Sequence, residues 1–126
     1  MKDMQSFENL DVFRKAYKVS LEIHKKTLLF PKEEQYGLAD QMRRASKSIC
    51  ANLAEGYAKR ASSSPEFQRF LMMGVGSAEE MRVWIRYAFD LGYINDQEWQ
   101  SWRCEYQDIA KMLNGLRRSQ NSFHKK

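Results

Sequence analysis

The sequence contains few of the residues that sheets, disulfide scaffolds and metal centres require. In 126 residues it has two cysteines, two histidines and two prolines, and Val, Ile and Thr together number only ten. No stretch alternates apolar and polar residues in the way that a half-buried β-strand does. Because β-branched residues and alternation are both scarce, the sequence predicts an all-α fold.

The cysteines and histidines are also badly placed for a shared site. Cys50 and Cys104 lie too far apart for a metal-binding framework, so we expect both to be reduced thiols. His24 and His124 lie at opposite ends of the sequence. Zinc sites draw their ligands from short, regular spacings of these residue types. The sequence therefore predicts no metal site and no cofactor.

Long hydrophobic runs are missing as well. No run approaches the roughly 18 apolar residues that span a bilayer. The initial segment, Met1-Lys2-Asp3-Met4, has no apolar core behind a basic region, as a secretory signal would have. We therefore expect a cytoplasmic protein with no membrane partner.

Positive charge exceeds negative charge, but the excess is uneven along the chain. The sequence has 21 Lys+Arg and 16 Asp+Glu, a formal net charge of +5. Through residue 110 the basic and acidic side chains balance, and the whole excess comes from Lys111, Arg117, Arg118, Lys125 and Lys126. A second local excess lies at 43–60, where five basic residues face only Glu55. Each cluster is either a solvated helix face or a phosphate-binding surface.

Apolar residues recur at intervals of three and four along four segments, as they do in amphipathic helices. The predicted helices run over about 9–28, 36–60, 65–91 and 96–117. Ser64 is expected to cap the third helix with Pro65 at its first position, and Asn95 to Glu98 has the pattern of a capping box. Short connections favour antiparallel neighbours, so we predict an antiparallel up-down-up-down four-helix bundle. The bundle occupies 1–118, and 119–126 is expected to be a disordered basic tail.

The third helix has an apolar surface wider than a single core contact needs. Its apolar residues spread over about 200° of arc, whereas a surface helix needs a stripe of little more than 100°. The extra apolar surface predicts either that a partner subunit covers it or that the third helix is central and packs among three neighbours. We expect Met72, Val83 and Tyr87 on its exposed side, and the small residues of 74–78 allow close approach of another helix.

A polar stripe runs beside the apolar face of the second helix. Its members are Gln41, Arg44, Ser48, Asn52 and Glu55. Arg44 reaches Glu55 only through a partner chain or a neighbouring helix, because the residues between them span about 16 Å of helix axis. We interpret the stripe as a structural polar seam in which Asn52 fixes the packing register, as a buried Asn does in coiled coils. A ligand pocket is the alternative interpretation.

No arrangement typical of catalysis is present in the sequence. Glu55 has no histidine partner within sequence reach, and no paired carboxylates or nucleophile motif stand out. Cys104 is expected on the polar side of the fourth helix, where it has no obvious activating base. We therefore predict no catalytic residues and a protein that is not an enzyme.

Motifs in the second and third helices carry a family resemblance. In order they are Phe30-Pro31-Lys32-Glu33-Glu34, Gly37-Leu38, Gln41-Met42-Arg43-Arg44-Ala45, Ser48-Ile49, Asn52-Leu53-Ala54-Glu55-Gly56, Phe67, Phe70-Leu71 and Gly76-Ser77-Ala78-Glu79-Glu80. With these motifs the sequence resembles, from Phe7 to about Tyr93, the bacterial four-helix bundle proteins associated with intervening sequences in large-subunit ribosomal RNA genes. More distantly it is similar to the accessory variability proteins of diversity-generating retroelements.

The resemblance implies a homo-oligomer, a five-membered (pentameric) ring, with a positively charged surface that binds nucleic acid. It assigns no activity and no catalytic residues. Neither basic cluster contains a base-reading motif, so binding to RNA or DNA is expected to be directed at the backbone. The predicted phosphate contacts are Arg43, Lys47, Lys59, Arg60, Arg117 and Arg118. The alternative is a protein-interaction scaffold that binds another protein, such as a polymerase, without contacting nucleic acid.

Overall fold

The computed structural model describes residues 6–124 of the chain. Four α-helices account for most of them: α1 at Asp11–Thr27, α2 at Leu38–Lys59, α3 at Ser64–Asp90 and α4 at Asp96–His124. Short 3-10 turns at Phe7–Asn9 and Lys32–Glu34 precede α1 and α2, and no strand occurs within residues 6–124. The prediction of an all-α fold with four helices is confirmed.

Local side-chain contacts explain where the helices begin and end. The Asn95 N–H donates to the Glu98 carboxylate at 2.9 Å, and the Glu98 N–H donates to the Asn95 side chain at 2.8 Å, which is the predicted capping box. The cap of α3 is Ser63 and not Ser64, because Ser63 keeps an extended backbone and its hydroxyl accepts from the Glu66 N–H at 3.2 Å. α3 ends shortly before Gly92, whose φ is 82°.

α4 continues beyond its predicted end near Arg117 and reaches His124. The physical reason is that no proline or glycine follows Gly115, so the sequence contains no strong signal to stop the helix. The segment predicted as a basic tail therefore begins as helix. Lys125 and Lys126 lie outside the described residues.

All four helices contribute to one hydrophobic core. Its largest fully buried side chains include Ile23 of α1, Met42, Ile49 and Leu53 of α2, Phe67, Leu71, Met81 and Ile85 of α3, and Tyr106, Ile109 and Leu113 of α4. α1 and α3 each contact α2 and α4, but they do not contact each other within the described part of the chain. α1 and α3 therefore lie on opposite sides of the core.

Two glycines allow α3 to approach its neighbours closely. A Cβ added to Gly56 of α2 would lie 2.7 Å from Cβ of Phe70 and 3.2 Å from Cδ1 of Phe67. A Cβ added to Gly74 of α3 would lie 3.2 Å from Cδ1 of Leu113 on α4. These contacts place the end of α2 and the middle of α4 beside the first half of α3.

Neither a membrane-spanning helix nor a metal-ligand cluster occurs in the part of the chain that the structure describes. No helix there combines the length and apolar composition needed to cross a bilayer. No group of three or more His, Cys, Asp or Glu side chains there could hold a metal ion. Both cysteines are free thiols, with Cys50 half-buried and Cys104 exposed on α4, as predicted for the latter.

Candidate nucleic-acid interface

The predicted phosphate contacts on α2 fall into two groups. Arg43 and Lys47 lie on the first half of α2, against the end of α1. Lys59 and Arg60 lie at the opposite end of α2, beside the start of α3. The residues between Lys47 and Lys59 correspond to about 18 Å of helix axis. The basic segment that looked continuous in the sequence is thus two separate surfaces.

The first group includes a histidine that sequence reasoning left out. The Lys47 ammonium lies 2.9 Å from Nδ1 of His24 on α1. Arg43 donates from Nη1 to the Thr27 hydroxyl at 3.0 Å, and from Nη2 to the backbone oxygen of Gln35 at 3.1 Å and its side-chain oxygen at 3.2 Å. Arg43 is therefore a brace for the connection between α1 and α2. We call His24, Arg43 and Lys47 the His24 cluster.

Neighbouring cations and partial burial determine the electrostatics of the His24 cluster. The Lys47 charge, with smaller contributions from burial and from Arg43, lowers the pKa of His24. Partial burial and then the Arg43 charge lower the pKa of Lys47. None of the ion pairs among the described residues involves a member of this cluster. An opposite charge close by would favour the protonated forms of His24 and Lys47, and this surface supplies none.

The second group gathers around aromatic rings at the junction of α2 and α3. The Lys59 ammonium lies 6.0 Å from the centroid of the Phe70 ring, and the Arg69 guanidinium lies 4.8 Å from the same centroid. The Arg60 guanidinium stacks on Tyr57 at 3.6 Å. We call Lys59, Arg60 and Arg69 the α2–α3 corner. Arg69 could not be found from the sequence, because only the Phe70 ring brings it beside Lys59.

Arg117 and Arg118 lie toward the same end of the molecule as the α2–α3 corner, but their surroundings differ. Arg117 is half-buried and donates from Nη2 to Asn114 at 3.0 Å, while its buried Nε has no hydrogen-bond partner. Arg118 is exposed. Leu113, one turn before Arg117, lies against Gly74 of α3, which fixes the level of these arginines along the molecule. Arg118 is the better placed of the two to contact a phosphate.

The predicted polar seam forms only at its inner edge. Asn52 is buried, and its amide donates to the backbone oxygen of Ser48 at 2.9 Å and to its hydroxyl at 3.0 Å. Ser77 of α3 donates to the same hydroxyl at 3.0 Å. Ser48 thus links α2 to α3 through Ser77, whereas both Asn52 hydrogen bonds stay within α2 and do not set the register between the helices. The hydrogen bond from Ser77 could not be predicted from the sequence, because it depends on how α2 and α3 pair.

The outer members of the stripe do not pair with one another. Arg44 forms an ion pair with Asp40 at 3.6 Å, one turn earlier on its own helix, and Glu55 is exposed. Gln41 and Arg44 line a shallow cleft together with Ser48, Ser77 and Glu80 of the adjoining surfaces. No contact within the chain joins Arg44 to Glu55.

Comparison with known proteins identifies the family. The model of the family described as 23S rRNA-intervening sequence protein matches residues 8–115. The chain belongs to this family. The resemblance carried by the motifs of the second and third helices is therefore confirmed.

A solved structure shares the fold of this family member. It is a protein with unknown function from the S23 ribosomal protein family of Bacteroides thetaiotaomicron, 22% identical, with a TM-score of 0.75. The match covers 85% of this chain and 95% of the other chain. At this level of identity the likeness shows the fold alone. No curated protein matches the chain.

This member of the family exposes an apolar face on α3. Met72, Val83 and Tyr87 are 48%, 51% and 55% exposed, which confirms the predicted exposed side of this helix. Gly76 lies among them, and a Cβ added there would meet nothing within 4 Å. The four positions fall within about 60° of arc on an ideal helix. We call them the α3 face.

A second apolar face, which sequence reasoning missed, lies on α1. Tyr17, Leu21 and Leu28 are 51%, 43% and 57% exposed and fall within about 40° of arc on an ideal helix. We call them the α1 face. Basic residues such as Lys18 and Lys25 interrupt this stripe in the sequence, so it does not stand out as an apolar run.

Proposed function

We propose that this protein is a non-enzymatic, oligomeric four-helix bundle protein that binds the phosphate backbone of RNA or DNA. The observation that carries the proposal is a set of cations with no ion-pair partner among the described residues, namely Lys47, Lys59 and Arg118. Surface cations without carboxylate partners are the groups that phosphate contacts use.

We infer an antiparallel up-down-up-down order of the helices from the direction of their contacts. Lys15 near the start of α1 pairs with Glu105 at 3.4 Å, and Lys26 near its end pairs with Glu98 at 3.3 Å. The residue numbers rise on α1 while they fall on α4. The contacts between α2 and α3 run in reverse order in the same way, from Ser48–Ser77 to Gly56–Phe70. Short connections between these helices favour the same order.

The two apolar faces support assembly of several copies. The α1 face and the α3 face lie on helices at opposite sides of the core, so one copy's α1 face can pack against the next copy's α3 face. Such a head-to-tail contact uses two different surfaces and produces a ring when the rotation closes. A five-membered ring is the closed form that we propose.

Gly76 favours a helix of a second copy as the occupant of the α3 face. Glycine in a helix interior costs about 1 kcal/mol relative to alanine, and none of the described residues approaches Gly76 closely enough to require it. A helix from another copy would require it.

Assembly would turn a modest charge per chain into a strong field. Each chain carries a formal net charge of +5, and a ring multiplies that value by the number of copies. Concentrated positive charge raises both the rate and the affinity of association with a polyanion, and it makes binding depend strongly on salt. Since no base-reading motif is present, sequence specificity is expected to be weak.

The test is a titration of a labelled RNA duplex at about 50 mM and about 200 mM salt. We expect Lys59→Gln with Arg118→Gln to weaken binding at the lower salt by about tenfold or more and to reduce the salt slope by about two. The control, Lys32→Gln with Arg14→Gln, removes the same charge from exposed positions outside the clusters. Equal affinities and equal slopes for the two double variants would contradict the proposed contacts.

The exposed α3 face also favours a second candidate function, a scaffold that binds another protein. Purification from native lysate with and without nuclease separates the two functions. The scaffold function is supported by a co-purifying protein that stays bound after nuclease treatment and binds again after its own purification. This protein must also fail to bind the variant Val83→Gln with Tyr87→Gln. Loss of every partner on nuclease treatment supports the nucleic-acid function.

A further inference from the structure

We propose that His24 and Lys47 form a phosphate-binding site whose affinity increases when His24 takes up a proton. This inference rests on the proposed function, since the phosphate that would bind here is a phosphate group of the nucleic-acid backbone. It adds a residue outside the predicted contacts and makes binding depend on pH. Nothing in the sequence joins the two residues, which lie 23 positions apart and meet only where α1 packs on α2.

The contact between His24 and Lys47 depends on an unprotonated imidazole. The Lys47 ammonium is 2.9 Å from Nδ1 of His24, and Nδ1 accepts a hydrogen bond only in the neutral ring. Protonation converts Nδ1 into a donor and leaves two cations facing each other. A phosphate oxygen relieves this repulsion, because it accepts from the ring N–H and from the ammonium together.

Among the described residues, no carboxylate is one of the charges that act on His24. From α2 the charged groups that act on His24 are Lys47 and Arg43. α4 also packs against α1, and the two α4 carboxylates that contact α1 each pair with a lysine of that helix. Glu98 pairs with Lys26 at 3.3 Å, and Glu105 pairs with the lysine at position 15.

Arg43 has a positioning role at this site. Its contacts with Thr27 and Gln35 hold the guanidinium in place, so its charge acts on His24 without adjustment of the side chain. Lys47 is exposed and His24 is partly exposed, which leaves the pair accessible to a phosphate from solvent. The site therefore consists of two accessible donors, His24 and Lys47, with the fixed positive charge of Arg43 behind them.

The direction of the pH dependence follows from linkage. Lys47, burial and Arg43 lower the pKa of His24 in the free protein, so the ring is mainly neutral around pH 7. A bound phosphate favours the protonated ring and raises that pKa. Binding therefore tightens as the pH falls, by about tenfold for each unit by which the bound pKa exceeds the free pKa.

The experiment follows the ring resonances of His24 by NMR between about pH 5.5 and about pH 8, where histidine titrates. The samples are the protein alone, with inorganic phosphate and with an RNA duplex. The only other histidine is His124, so His124→Gln assigns the signals. We expect both ligands to raise the His24 pKa, and RNA affinity to increase about tenfold toward the lower pH.

Variants separate this inference from a general charge effect. We expect His24→Gln to lose the pH dependence attributed to this ring, because glutamine takes up no proton in this pH range. Lys47→Gln weakens binding at both pH values, and the control Lys32→Gln leaves the pH dependence intact. A pH dependence that persists in His24→Gln overturns the inference.

The outcomes also distinguish this inference from the proposed function. RNA binding with an unchanged His24 pKa overturns the inference and leaves the proposed function standing. A His24 pKa that inorganic phosphate raises, with no RNA binding at any pH, supports the site as an anion site and overturns the proposed function. No response to either ligand overturns both.

Discussion

At the scale of single residues, burial separates the two cysteines chemically. Burial raises the pKa of Cys50 to about 11, whereas Cys104 is exposed on α4. At pH 8 only about one Cys50 thiol in a thousand is therefore the reactive thiolate. We expect iodoacetamide to alkylate Cys104 in the folded protein and to leave Cys50 unmodified, as mass spectrometry of the two peptides will show. In urea both must react, and equal labelling without urea would contradict the burial of Cys50.

Single residues also show where sequence reasoning ends. The charges could be counted from the sequence, and the exposed positions Met72, Val83 and Cys104 followed from helical periodicity. The partners could not be predicted, because each depends on how two helices meet. Arg43 braces Thr27 and Gln35, although the sequence predicted it as a phosphate contact.

At the scale of the elements, the distance between α2 and α3 depends on Gly56. The nearest atom to a Cβ at this position would be Cβ of Phe70 at 2.7 Å, which a rotamer change cannot move. We expect Gly56→Ala to lower the free energy of unfolding by about 1–3 kcal/mol, because the helices must separate. Denaturation with urea at low protein concentration measures the change.

Gly76→Ala is the matched control for this prediction. It makes the same substitution in α3, at a position where the added Cβ would meet nothing within 4 Å. Only helix propensity then changes, so we expect the free energy of unfolding to stay the same or to increase slightly. Equal losses in both variants would contradict the close contact at Gly56.

The helices themselves were predictable, and their ends were less so. Periodicity located all four, and the capping box at Asn95 is where the pattern indicated. The last helix was predicted too short, because its continuation past Arg117 rests on the absence of a stop signal and not on any positive pattern. Of the candidate site, the sequence supplied the cations, but the division of 43–60 between two surfaces needed the packing of α2.

At the scale of the whole molecule, head-to-tail assembly makes a prediction that a symmetric dimer does not. Leu21→Gln with Leu28→Gln removes the α1 face, and Val83→Gln with Tyr87→Gln removes the α3 face, without any change in charge. We expect each double variant to be monomeric by light scattering on a sizing column. Mixed together they should form a two-chain complex and nothing larger, because each still has the one face that the other lacks.

A symmetric contact through α3 alone would give a different result. The variant without the α1 face would then remain assembled, and mixing would add no new species. That outcome would contradict head-to-tail assembly through two different faces.

The central claim is that assembly concentrates positive charge for binding to a nucleic-acid backbone. The most direct measurement compares the salt dependence of RNA affinity for wild type with that of Val83→Gln with Tyr87→Gln, which has the same net charge per chain. We predict tighter binding and a steeper salt slope for wild type, because several chains contact one RNA at once. Identical affinities and slopes for the assembled and the monomeric protein would contradict the claim.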